Sequence, residues 1–114
     1  METILRRLME IDGVVGVLLA GKDGLVVAST LDGEEEELLG AMAAACFDST
    51  ARYIEPLGMG SVHQALFEMP GGTVQIAEGG ELLVVVKSTQ QAGLGRIRME
   101  LAQTVQRLAH QPGA

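Results

Sequence analysis

The chain has 114 residues, 15 of them acidic and 8 basic, giving a formal net charge of −7. Such a length holds one domain, and that charge opposes a nucleic-acid backbone. With aromatics at 3% and no tryptophan there is no platform on which bases could stack, and one cysteine excludes an intramolecular disulfide or a cysteine cluster. The sequence lacks a run of about 18 apolar residues, and Met1-Glu2-Thr3-Ile4 is no basic-then-apolar leader. A single cytoplasmic domain over 1–114 is expected, without membrane insertion and with a frayed tail at 110–114.

The apolar stripe Ile4, Leu5, Leu8, Met9 and Ile11 predicts a short amphipathic helix, with Thr3 as its N-cap and Asp12-Gly13 as its stop. From Val14 the pattern becomes that of strands. Val14 to Ala20 and Leu25 to Thr30 flank Gly21-Lys22-Asp23-Gly24 and read as a hairpin covered on both faces. Gly16 predicts a bulge or a close backbone contact.

Asp32 with Glu35 suggests a capping box, and Glu34 to Glu37 complement the positive end of a helix dipole. That helix is expected to reach Tyr53 or Ile54 and to stop before Pro56. Its middle is lined by small residues: Ala41, Ala45 and Ser49 fall four apart, with Gly40 and Ala44 beside them. Such rows admit close packing on more than one side. Three strands follow, Val62 to Glu68, Thr73 to Ala77 and Leu82 to Val86, divided by Pro70-Gly71-Gly72 and Gly79-Gly80 turns. A last helix carries the stripe Leu94, Ile97, Leu101, Val105 and Leu108. The order α-β-β-α-β-β-β-α predicts an α/β fold, a three-layer α-β-α sandwich around a mostly antiparallel five-stranded sheet.

Few polar groups can converge for catalysis. Cys46 lies within an alanine run and reads as an inert thiol, and His63 as a strand or interface histidine. The glutamates at 34–37 point in different directions along a helix and cannot share one cation. The Gly21-Lys22-Asp23 sequence is no phosphate loop, because Ser or Thr is missing after the lysine. Met9 and Met99 read as core filling. Arg52 reads as a surface arginine within reach of Asp48 and Glu55. The residues imply neither a metal nor a cofactor.

The segments Ile11 to Leu19 and Asp23 to Ser29, the alanine-rich helix after its acidic start, and Gly79-Gly80-Glu81-Leu82 together resemble the roadblock / dynein light-chain family. The resemblance runs from Thr3 to Leu108 and includes its bacterial, MglB-like branch. It implies a profilin-like fold and a non-enzymatic cytoplasmic dimer, of itself or with a roadblock paralogue, that binds a Ras-like small GTPase in signalling. Members of the MglB type look like activators that reshape the GTPase instead of inserting an arginine. Dimerisation would then fall on Ala41, Ala45 and Ser49 of the second helix and on Val62, Gln64 and Leu66 of the third strand. Exposed candidates for partner binding are Asp48, Arg52, Glu55 and Met59. From another class, a ligand-sensing module of profilin-like or PAS-like architecture would need a lined cavity.

Overall fold

Val14–Gly21 (β1) and Leu82–Ser88 (β5) are aliphatic at nearly every position, so neither can lie where one face meets water. In the computed structural model, which describes residues 2–109, they pair antiparallel at the middle of one sheet. The frayed tail expected at 110–114 lies outside the described residues. Val26–Ser29 (β2) forms one edge, Gly72–Gly79 (β4) lies beyond β5, and Gln64–Met69 (β3) forms the other edge. Every neighbouring pair is antiparallel, in the order β2-β1-β5-β4-β3.

Three helices cover the two faces. Glu2–Met9 (α1) and Leu94–Ala109 (α3) bury Ile4, Leu5, Leu8, Ile97, Leu101 and Leu108 against Val17, Leu19, Val84 and Val86. Gly33–Ile54 (α2) buries Leu39, Ala43 and Phe47 on the opposite face, against Leu18, Ala20, Leu83 and Val85. The expected three-layer sandwich is the observed one.

Local departures each have a cause. The helix α1 begins at Glu2, which puts Thr3 within its first turn and not at a cap. Asp32 is the N-cap residue of α2, but its side chain makes no capping bond. The expected capping box does not form; the Glu35 carboxylate, its second member, is held by Lys87 at 2.5 Å. Met99 is 62% exposed and Met9 lies at the boundary of exposure, so neither fills the core; on α3 that place is taken by Ile97, Leu101, Thr104 and Leu108. Gly16 fulfils both expectations, since the β1–β5 register shifts between Val14 and Gly16 and Leu31 packs directly on the glycine. The strand β2 is covered less fully than expected. Ala20 pairs with Val26 and Leu19 with Ala28, leaving Val27 as an extra, exposed residue in a bulge.

The small residues of α2 serve the sheet first. A Cβ on Gly40 would stand 2.9 Å from Val26 Cγ2 and 3.0 Å from the Gly24 carbonyl oxygen. The helix therefore sits almost on the backbone of the β1–β2 turn. Helix propensity alone makes Gly40→Ala stabilising by about 1 kcal/mol; the close approach reverses the sign, and overpacking should give a net loss of about 1 kcal/mol or more. Urea unfolding measures it, and a raised midpoint would show that α2 can lift off the turn freely.

Candidate interaction surface

One helix is about 10 Å wide and strands lie about 4.8 Å apart, so α2 alone cannot roof five strands. It lies over β1, β2 and β5. The apolar residues of β3 on that side, Ala65 and Phe67, are left half-buried beside it. Between them runs an open groove of ≈ 430 Å³, lined by Thr50 and Ile54 of α2, Val62 of the connector, and Ala65 and Phe67 of β3. Its upper rim is the segment that ends the helix. Pro56 sits in the first turn of a 3-10 helix over Glu55–Leu57, and Gly58 closes it in the left-handed region, at φ 78. This segment leaves Tyr53, Leu57 and Met59 exposed at 85%, 70% and 87%. Three large side chains so exposed within seven residues make this segment a candidate interaction site.

The edge β3 adjoins this groove. Its register with β4 is unbroken from Gln64↔Ala77 to Met69↔Gly72. The Glu78 N–H donates to the His63 carbonyl at 3.0 Å. Backbone groups alternate sides along a strand, so the N–H and C=O of Gln64, Leu66 and Glu68 face away from β4 along the free edge. No bulge, lysine or proline blunts the strand. The other edge, β2, is only four residues long and carries its bulge at Val27.

The residues singled out from sequence fall on this surface, with one change of place. Ala41, Ala45, Asp48, Ser49 and Arg52 are all exposed and, by helical spacing, share the outer stripe of α2. Arg52 pairs with Asp48 at 3.1 Å, as expected for a surface arginine. Glu55 is exposed at the end of the helix and also accepts the Val62 N–H at 3.2 Å, tying the connector to it. Gln64 and Leu66 lie in β3, whereas Val62 precedes the strand and lines the groove. Cys46 is half-buried within α2, and His63 is exposed beside the edge. Among the described residues, no three His, Cys, Asp or Glu side chains are placed to hold a metal ion. Among them too, no helix is long and apolar enough to cross a membrane.

On the opposite face, sequence reasoning missed a polar strip under the start of α3. Thr73 and Ser88 share a buried hydrogen bond, and Gln64 Nε2 donates to the Arg98 carbonyl at 3.1 Å. Gln75 is 3% exposed, and its Oε1 is buried without a hydrogen-bond partner. It lines a second open groove, of ≈ 290 Å³, with Gln64, Leu66, Leu94, Gly95 and Arg98. The clean alternation of Thr73 to Ala77 was a signal that Gln75 shares a face with Ala77, which α3 covers.

A Roadblock/LC7 domain family model matches residues 1–87. An uncharacterized protein of Methanocaldococcus jannaschii is 34% identical over 108 residues, covering 94% of this chain and 95% of the relative. A Roadblock/LC7 domain from Streptomyces avermitilis superposes with a TM-score of 0.87 at 19% identity, covering 95% of this chain and 93% of that one. Myxococcus xanthus MglB superposes with a TM-score of 0.83 at 16% identity, covering 94% and 89%. The chain belongs to the Roadblock/LC7 family.

Leucine at position 75 would remove the orphaned acceptor and keep the volume. Gln75→Leu is expected to stabilise the fold by about 1 kcal/mol, read from thermal and urea unfolding. A destabilised variant would mean that the amide is hydrogen-bonded in solution.

Proposed function

We propose that this Roadblock/LC7 chain is a non-enzymatic regulator that pairs with a second copy, or with a roadblock paralogue, and docks a Ras-like small GTPase whose GTP hydrolysis it tunes. The observation that carries the pairing is the difference between the sheet edges. One is short and bulged, while the other is regular, unblunted and bordered by a half-open apolar groove. Two β3 edges meeting across a twofold axis would saturate their outward N–H and C=O groups. On the family pattern the two α2 helices would also lie side by side, with Ala41, Ala45 and Ser49 leaving room for close approach.

The docking part rests on the family and on the chemistry of the outer stripe. Asp48 and Arg52 form an exposed i,i+4 pair, which contributes little to stability and can exchange partners. Met59 stands almost wholly in solvent near Glu55, at the end of the same helix. A flexible apolar side chain beside charges of both signs suits a switch surface that changes shape with nucleotide. The reading gives this chain no group that attacks phosphate; it acts by holding one conformation of the GTPase more tightly than another.

Light scattering should give a mass roughly twice the 12.0 kDa of the chain. Ala45→Arg, at the close-approach position, is expected to shift it to monomer with its circular dichroism unchanged; a persistent dimer would remove α2 from the interface. Arg52→Glu is expected to keep the dimer, keep stability within about 0.5 kcal/mol, and weaken binding to a GTP-loaded small GTPase at least tenfold. Undiminished binding would move the docking site off this stripe.

A further inference from the structure

The free edge also holds the information needed to set the register of such a pair, which rests on the dimer reading above. Alternation puts Gln64, Leu66 and Glu68 on the α3 face of the sheet and Ala65 and Phe67 on the α2 face. A twofold axis perpendicular to the sheet places one residue of β3 opposite itself and sets every other pair. Six centres are available within the strand; one on Met69 opposes Glu68 to the partner's Pro70 and leaves Gln64 to Leu66 beyond the end of the partner's strand, and cross-strand chemistry separates the other five.

Centring on 68 puts two Glu68 carboxylates face to face, which is repulsive. Centring on 67 opposes Leu66 to the partner's Glu68 and runs Gln64 against the partner's Pro70, which has no N–H. Centring on 65 opposes Gln64 to the partner's Leu66 and Glu68 to the partner's Val62. Centring on 64 leaves the second half of the strand without a strand partner. Centring on 66 satisfies each position. Leu66, 43% exposed in the single chain, meets the partner's Leu66. The small Ala65 meets the partner's large Phe67, filling the groove side, and Gln64 meets the partner's Glu68. The outward N–H and C=O groups of residues 64, 66 and 68 then all find partners within the two strands.

The pair Gln64 and Glu68 has a further consequence. Gln64 is tied to the Arg98 carbonyl, and Arg98 lines the same groove. Both Glu68 and Arg98 are exposed, and among the described residues neither is in an ion pair. The first turn of α3, at the rim of that groove, contains no acidic residue. We propose that Leu66 lies on the dimer axis and that Glu68 of the partner subunit completes the groove at the start of α3, pairing with Arg98. Each copy gives one carboxylate and receives one, so the contact occurs twice.

The test uses the full chain with Cys46→Ala and one cysteine placed in turn at 64, 65, 66, 67 and 68. Residues directly opposite in a hydrogen-bonded pair have Cα atoms about 5.5 Å apart, within disulfide range. Mild oxidation should cross-link the Leu66→Cys dimer and leave the other four reduced. In the native background, Glu68→Arg and Arg98→Glu should each weaken the dimer about tenfold by sedimentation, and the double exchange should restore it. A dimer that cross-links only at another position overturns this register while leaving the pairing of edges intact. A cross-link at 66 without rescue by the double exchange overturns the Glu68–Arg98 contact. A monomeric native chain overturns both this inference and the dimer reading beneath it.

Discussion

A strand buried on both faces has to be roofed twice, and β1 and β5 are such strands. Val17 to Ala20 and Val84 to Val86 have no measurable exposure. Burying a large aliphatic side chain contributes about 1.5–3 kcal/mol, so this pair of strands anchors the molecule. The chain supplies two helices for one face and one for the other. Because one helix spans about two strands, the single-helix side is necessarily short of cover. The shortage falls beyond β5, toward β3, since the Gly24–Gly40 contact draws α2 to the opposite side. The groove and the open edge are therefore consequences of how the core is covered.

Much of this was legible in the sequence because it follows from period and composition. The change from spacings of three and four to continuous apolar runs at Val14 marks the first strand. The stripe of α3 identifies its buried face, and the alternation of Thr73 to Ala77 shows a strand with one polar-bearing side. What was not legible depended on which neighbour arrives. Asp32 and Glu35 have the right spacing for a capping box, but Lys87, 52 residues away in sequence, claims the glutamate. Met99 is apolar yet off the stripe, and local pattern gives no reason for an exposed methionine. The bulge at Val27 is a register event between two strands, which neither strand announces alone.

The candidate surface divides in the same way. Ala41, Ala45 and Ser49 could be placed on one stripe from spacing alone, and they do face outward. That Gly40 and Ala44 turn inward to the β1–β2 turn was open, because small residues admit close packing without saying to what. Glu55 shows the limit of local reasoning. Its spacing of three residues from Arg52 suggests an ion pair, but the chain turns back after Gly58 and presents the Val62 N–H to it. Its carboxylate consequently shapes the connector as well as the charge of the helix end.

The unequal edges of the sheet also determine how large an assembly built by strand pairing can become. Each chain has one regular, unblunted edge strand and one that is short and bulged, features that oppose strand addition. In polymer terms its valence is one. If two such strands pair about a twofold axis, the regular open edge of each molecule is consumed and, among the described residues, only the short, bulged β2 is left as an edge, so sheet extension would end at the first step. The four residues of β2, with the displaced Val27 among them, act as the chain stopper.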